Sequence, residues 1–174
     1  MIIATDVKYD EEAGTASAVA GAFRAWEDPV LAADYIADIG AIEEYVPGSF
    51  YRRELPCLRA VLAMIAEPVD AIIVDGHVWL GERPGLGHHL WADLGGSCPV
   101  IGVAKSRFHT GGAVPVCRGE SKRPLYVSAI GMSAEEAVAH VQHMHGPHRM
   151  PTLLKAVDEL TRGRRPPAAT RGEP

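Results

Sequence analysis

Apolar runs alternate with polar turn segments along this chain, and their lengths predict six strands. Residues 15–23 (TASAVAGAF) alternate small and apolar positions after the turn signal DEEAG, a pattern typical of a strand. Residues 69–74 form a continuous apolar run, which is typical of a strand buried on both faces. The predicted strands cover residues 1–9, 15–23, 31–36, 69–74, 100–104 and 125–130.

Helical spacing and helix-start signals predict four helices between and after these strands. Leu58, Val61 and Leu62 recur at helical spacing, and Pro56 suits a first turn because its missing N–H has no partner there. The predicted helices cover 54–66, 85–94, a segment opened by the capping box of Ser133 and Glu136, and a segment from Pro151 to about 161.

The order of these elements predicts an α/β fold. Strands come first and helices then alternate with strands, which indicates a mixed β-sheet with an antiparallel start and a parallel remainder, flanked by helices. We expect one domain over residues 1–161. Residues 162–174 are polar and proline-rich, and we expect them to form a disordered tail.

Composition and charge bear on three properties of the chain: membrane spanning, the state of its cysteines and its choice of partner. No apolar run approaches about 18 residues, so no membrane span is predicted. Three cysteines without a C-x-x-C spacing indicate free thiols in a reducing cytoplasm, the predicted location. The net charge of −5 argues against a nucleic-acid partner, but basic residues cluster at 52–53, 105–107, 122–123 and 162–165, which weakens that objection.

Acidic residues follow two of the apolar strands, and a third opens a helix. Asp6 follows IIAT, Asp75 follows AIIV, and Glu54 stands at the start of the first predicted helix. If the first and fourth strands are parallel neighbours, Asp6 and Asp75 emerge side by side and Glu54 leans over the same edge. Oxygen ligands of this kind select Mg²⁺ or Mn²⁺. The alternative is that each acid is a solvated residue at the end of its own element.

The eight histidines do not form a recognisable zinc site. His88 and His89 are adjacent, so on a helix their side chains diverge by about 100°. The sequence contains no His-Glu-x-x-His pattern and no histidine pair beside a cysteine pair. His77, two residues after Asp75, is the histidine that we expect to contact a substrate.

Six segments, in order, resemble the endonuclease V family of repair nucleases for deaminated bases. They are TDVKY, YVPGSFYRRELP, IIVDGH, GVAKSRF, RPLYVS and HRMPTLLKAVDEL, and together they span residues 2 to about 161. The resemblance implies a ribonuclease H-like fold. It also implies Mg²⁺-dependent hydrolysis of a phosphodiester near deoxyinosine in DNA or inosine in RNA, with Mn²⁺ as a substitute and a monomeric protein.

The resemblance also implies roles for individual residues. The metal carboxylates fall on Asp6, Glu54 and Asp75, and Asp158 takes the place of the polar residue on the final helix. Lys105 takes the place of a lysine that holds a phosphate or the attacking water. The residues implied to bind substrate are the wedge loop, Tyr45, Val46, Pro47 and Gly48, together with Arg53 and His77.

This chain departs from the family pattern after Asp75. Val78 stands where the family has the second glycine of a Gly-x-Gly segment, and Gly81 stands at the position of a family histidine. The family's Gly-His pair after the later strand is Gly131-Met132. Two alternatives therefore stand beside the inosine nuclease: a metal nuclease of the same fold with another structural substrate, and a non-catalytic nucleic-acid-binding module.

Overall fold

The computed structural model describes residues 1–43, 46, 48–108 and 112–164. Its helices are α1 (Phe50–Leu62), α2 (Leu86–Asp93), α3 (Ala134–His143) and α4 (Thr152–Thr161). Its strands are β1 (Ile2–Asp10), β2 (Thr15–Phe23), β3 (Ala33–Ile39), β4 (Ala71–Asp75), β5 (Trp79–Leu80), β6 (Arg83–Pro84), β7 (Val100–Ala104), β8 (Val114–Val116) and β9 (Leu125–Ile130).

Seven of the described strands form one mixed sheet in the order β3-β2-β1-β4-β7-β9-β8. Strands β3, β2 and β1 are antiparallel, which confirms the predicted antiparallel start. Strands β1, β4 and β7 are parallel, but β9 and β8 return antiparallel, so the prediction of a parallel remainder was too broad. The described residues between β7 and β9 contain no helix, and an antiparallel return needs no helical crossover.

The sheet separates two hydrophobic layers, because successive side chains of a strand point to opposite faces. Ile3 and Ile72 face one layer, where they pack with Leu58 of α1 and Leu90 of α2. Ile73 and its neighbours face the other layer, which is closed by α3 and α4. No helix within the described ranges has the length and apolarity that a membrane span requires.

Several element boundaries differ from the predicted ones. Helix α1 begins at Phe50 instead of residue 54, and Pro56 lies inside it, so the placement of Pro56 in the first turn was wrong. The predicted apolar face is kept, since Leu58 and Val61 are buried. Strand β3 begins two residues later than predicted and extends to Ile39. Strands β5, β6 and β8 were not predicted, because two or three residues carry too little periodicity.

The starts of the last two helices were predicted correctly. Ser133 Oγ accepts from the backbone N–H of Glu136 at 3.2 Å, and the Glu136 carboxylate accepts from the backbone N–H of Ser133 at 3.0 Å. This is the predicted capping box. Helix α4 begins directly after Pro151. The single-domain division at residue 161 remains a prediction, and residues 165–174 of the expected tail lie outside the described residues.

A buried arginine fixes the loop between α3 and α4. Arg118 is 6% exposed, and its guanidinium donates to the carbonyls of His148 at 2.9 Å, Gly146 at 3.3 Å and Met144. Arg149, in the same loop, donates to the carbonyls of Pro124, at 2.6 Å, and Lys105. The loop is therefore tied to the strand end that carries Lys105.

We expect Arg118→Met to lower the free energy of unfolding by about 3 kcal/mol, because buried carbonyls lose charge-assisted hydrogen bonds. Urea unfolding followed by circular dichroism measures the change. The exposed Arg123, changed in the same way, should alter stability by less than about 0.5 kcal/mol. Equal losses in the two variants would show that Arg118 has no special structural role.

Candidate metal and nucleic-acid site

Two aspartates lie side by side where β1 and β4 part. The parallel register pairs Thr5 with Val74, so the next residues, Asp6 and Asp75, are neighbours. Alternation along the strands places both on the face that α4 covers. Asp6 is not a strand end, as the sequence suggested, because β1 continues beside β2 to Asp10. It lies where β1 loses its β4 partner.

Glu54 approaches this pair from α1, in the opposite layer. Its side chain is buried, and Oε2 has no hydrogen-bond partner. Burial, followed by the charges of Asp6 and Asp75, raises the pKa of Glu54 to about 8. Burial is also the main cause that raises the pKa of Asp6; a hydrogen bond from Thr161 lowers it, and the charges of Asp75 and Asp158 raise it. The structure thus places the three predicted carboxylates close enough for their charges to interact.

As the side chains stand, no three His, Cys, Asp or Glu residues among those described surround a common point as metal ligands would. Other partners hold the two aspartates. Asp75 Oδ2 accepts from Lys105 Nζ at 3.2 Å, and Asp6 Oδ2 accepts from Thr161 Oγ1 at 2.8 Å. Closure on one ion would need carboxylate rotations. The donor set itself suits a hard divalent cation, since the orphaned Glu54 oxygen and two repelling aspartates would all gain from a positive charge.

Helix α4 adds Asp158 and Thr161 to the same region. The Asp158 charge is among those that raise the pKa of Asp6, and its Oδ1 accepts from Arg162 at 2.9 Å. The sequence analysis did not predict Thr161 as a site residue. Its single hydroxyl proton is shared between Asp6 and the carbonyl of Asp158, which is 2.7 Å away. The signal was its position three residues after Asp158, which places both on one face of a helix.

Lys105 lies where the resemblance implied, at the end of β7. Its ammonium and the Asp75 carboxylate are each about half-exposed, with side-chain exposures of 49% and 41%. An ion pair in such a position contributes little to stability, about 0–1 kcal/mol. Lys105 can therefore turn to a phosphate at small cost.

A cavity of about 350 Å³ opens beside the aspartates, between the sheet and α4. Its charged lining includes Arg149, a second residue that sequence reasoning missed. Glu54 does not line it, because α1 is on the other face of the sheet. The lining residues are Ala4, Thr5, Asp6, Ile73, Val74, Asp75, Val103, Lys105, Arg149, Met150, Leu154, Lys155, Val157 and Asp158.

Only part of the predicted wedge loop can be placed. Tyr45 and Pro47 lie outside the described residues. The Val46 side chain is exposed, and the Val46 carbonyl accepts from Ser49 N at 2.9 Å. Gly48 has a φ of +79°, a conformation that favours glycine.

Two other predicted substrate-binding residues have partners within the protein. Arg53 is buried, 2.8 Å from the Glu11 carboxylate, with its guanidinium over the ring of Tyr9. This arrangement connects α1 to β1. His77 Nε2 lies 3.1 Å from the carbonyl oxygen of Ser106, and its buried Nδ1 has no partner. The structure therefore gives Arg53 a structural contact and leaves His77 beside the loop that follows Lys105.

The divergent segment after Asp75 folds as a tight hairpin against the sheet. Val78 is fully buried, and its N–H donates to Ser128 Oγ at 3.0 Å. A side chain on Gly102 would lie 2.6 Å from the Gly76 carbonyl, so this close crossing depends on a glycine in β7. Gly81 has a φ of +69° in the two-residue turn between β5 and β6. A histidine at this position would be strained.

The chain is similar in sequence and in structure to proteins of the endonuclease V family. The Endonuclease V family profile matches residues 1–119. Endonuclease V of Streptomyces avermitilis is 29% identical over 188 residues, covering 92% of this chain and 79% of that protein. The crystal structure of endonuclease V from S. avermitilis has a TM-score of 0.76 at 28% identity, covering 93% of this chain and 79% of that one.

A more distant structure has the same fold. Endonuclease V of Ciona intestinalis, in complex with DNA containing an inosine followed by a ribo-adenosine, has a TM-score of 0.76 at 18% identity, covering 93% of this chain and 84% of that one. The structural neighbours are ribonuclease H-like. The predicted fold class and the resemblance seen in the sequence are both confirmed.

The raised pKa of Glu54 predicts that stability falls as pH rises. Between pH 4.5 and about 8 the folded chain keeps a proton on Glu54 that the unfolded chain releases. The folded state then binds more protons, so the free energy of unfolding decreases with pH, whereas below pH 4.5 both states hold the proton. Urea unfolding across this range, with chelator present, should show a shallower slope for Glu54→Gln. The exposed Glu12→Gln should keep the wild-type slope, and equal slopes in all three proteins would contradict the prediction.

Loss of the Thr161 hydroxyl should raise the pKa of Asp6, because that hydrogen bond stabilises the ionised carboxylate. We expect Thr161→Val to show this rise, measured by carbon-detected NMR titration, and to lose about 1 kcal/mol of stability. Thr161→Ser keeps the hydroxyl and is the matched control. If Asp6 titrates identically in both variants, the hydrogen bond has no electrostatic effect.

Proposed function

Because this chain belongs to the endonuclease V family, we propose that it is a Mg²⁺-dependent endonuclease that cleaves DNA or RNA near a deaminated base. Members of the family are nucleases, which makes this chain a hydrolase, and a divalent metal cofactor follows from the family. The finer points are the proposal: Mg²⁺ as the natural ion with Mn²⁺ as a substitute, and inosine or deoxyinosine as the lesion.

One observation carries the proposal: Asp6 and Asp75 are adjacent on parallel strands, and a buried Glu54 carboxyl faces them. Three acids in such proximity repel one another in the ionised state, which destabilises the folded protein. A bound cation would offset this repulsion. The orphaned Glu54 oxygen supports the same reading, because a buried acceptor without a partner is costly.

The proposed roles follow from these positions. Asp6, Glu54 and Asp75 would hold the divalent ion, and Asp158 would support it from α4. When bound, the ion would supply charge stabilisation to the phosphate under attack. Thr161 orients the Asp6 carboxylate, and Lys105 can leave Asp75 to neutralise a phosphate oxygen as negative charge develops there.

Inosine as the substrate is supported by the Ciona intestinalis relative, whose structure contains an inosine in its DNA. We carry this over to the present chain as a proposal, together with binding at the loop of residues 45–48 and contacts from Arg53 and His77. A monomer is proposed as well. The free thiols of Cys57, Cys98 and Cys117 support a cytoplasmic location.

A second candidate function has an observation of its own. Val78 is buried and Gly81 occupies a hairpin turn, so the segment after Asp75 differs from the family pattern where a lesion would be read. This favours a nuclease with the same carboxylates and another structural substrate, such as a flap, a mismatch or unmodified RNA.

Incubation of the protein and Mg²⁺ with a strand containing a single deoxyinosine or inosine should produce one nick. Asp75→Ala should slow the nicking by at least about 100-fold, since it removes several kcal/mol of charge stabilisation. Asp38→Ala, an exposed aspartate on edge strand β3, is the matched control and should nick at the wild-type rate. Nicking that survives in Asp75→Ala would refute the proposed site.

The same assay separates the two candidate substrates. Matched strands carrying inosine, adenosine, a mismatch or a flap are cleaved in competition, and the ratio of their kcat/KM values is measured. A preference for inosine supports the first candidate and rejects the second. Equal or greater cleavage of another structure reverses that decision.

A further inference from the structure

The cavity beside Asp6 and Asp75 has an apolar lining that metal binding by the carboxylates does not require. Its floor is made of three small or β-branched residues on neighbouring strands, Ala4, Ile73 and Val103. Its roof comes from Leu154 and other apolar residues of α4 and the loop before it. A site that needed only to hold an ion would be lined by oxygen atoms.

The size and charge of the cavity narrow the choice of ligand. A volume of about 350 Å³ is well above the roughly 150 Å³ of an empty apolar cavity and falls in the range of small-molecule sites. Three acids and three cations line it, so their charges balance and a free anion gains little from entering. The cations are Lys105, Arg149 and Lys155, and the acids are Asp6, Asp75 and Asp158.

Cationic side chains supply hydrogen-bond donors along the cavity lining. Arg149 donates through its terminal nitrogen to the carbonyls of Lys105 and Pro124, which fixes its guanidinium beside the cavity. Lys105 and Lys155 add two ammonium groups to the same lining. The cavity therefore combines two apolar walls with hydrogen-bond donors.

We propose that the cavity between α4 and the sheet binds the base of the nucleotide next to the phosphodiester held at Asp6 and Asp75. A nucleobase has two apolar faces, which suit the floor and the roof, and acceptor atoms at its edge, which suit the cationic side chains of the lining. Its phosphate then stays at the mouth of the cavity, near Lys105 and Lys155. This inference rests on the proposed nuclease function for the position of that phosphate.

The site also differs in place from the segment that diverges after Asp75. Residues 76–84 cross to the α2 side of the sheet, where Val78 packs against Gly87, whereas the cavity is on the α4 side. A base in the cavity would thus be a second nucleotide contact, on the other side of the carboxylates from the hairpin.

Methyl NMR tests the assignment directly. The protein, with Mg²⁺ present, is titrated with deoxyadenosine 5′-monophosphate, deoxyribose 5-phosphate and inorganic phosphate. The nucleotide should cause saturable shifts in the methyl groups of Ile73, Val103 and Leu154, and none at Leu58 and Val61 in the opposite layer. Deoxyribose 5-phosphate should bind at least about fivefold more weakly, because it lacks the base. Equal affinity of the two ligands, or no response of the cavity methyls, overturns the proposal.

A cavity-filling substitution gives a second readout. Leu154→Trp should abolish the nucleotide-induced shifts and raise the KM for strand cleavage. Leu62→Trp makes the same exchange on a half-buried position of α1 and should leave both properties unchanged. If Leu154→Trp fails to fold, Val103→Ile adds one carbon atom to the floor and should weaken nucleotide binding in the same direction. Unchanged binding in a folded cavity variant contradicts the proposal.

The two proposals fail in different ways. A protein that nicks inosine strands while its cavity methyls ignore the nucleotide retains the proposed function and loses the base site. A protein that binds the nucleotide in the cavity and nicks no strand retains the base site and loses the proposed function.

Discussion

Electrostatic repulsion among three carboxyl groups is the constraint on which this structure depends. The parallel pairing of β1 with β4 forces Asp6 and Asp75 together, and α1 delivers Glu54 to them through the opposite layer. The fold tolerates the arrangement by protonation of Glu54, by the ammonium of Lys105 and by the hydroxyl of Thr161. Each of these is a weak substitute for a divalent cation, because none reaches all three groups at once.

The rest of the fold supplies rigidity around that centre. Both layers pack on the same central strands, so neither aspartate can shift without disturbing buried apolar residues. On the α4 side, Arg118 fixes the loop that carries Arg149, and Arg149 in turn holds the backbone at Lys105. The two guanidinium groups are thereby fixed by hydrogen bonds to carbonyls, whereas Asp6 and Asp75 are each held by one side-chain donor, Thr161 and Lys105.

The sequence predicted those parts of the structure that repeat a pattern. Long strands such as β2, whose bounds match, and the capping box at Ser133 follow from local periodicity and hydrogen bonding. The start of α1 was misplaced, because a proline at position 56 is expected in a first turn, whereas the helix begins at Phe50 and carries Pro56 in its interior. The adjacency of Asp6 and Asp75 was predictable from strand order. The role of Arg149 was not, since it depends on tertiary contacts between distant segments, and Thr161 was signalled only by its position three residues after Asp158.

The hydrogen bond from Thr161 to Asp6 joins residues 155 positions apart, from β1 to the last turn of α4. A chain emerging from the ribosome presents β1 well before α4. The carboxylates and the α4 cavity therefore come together after nearly the whole domain has been made. A chain that lacked α4 would keep Asp6 and Asp75 on the sheet but would have neither the Thr161 hydroxyl nor the roof of the cavity.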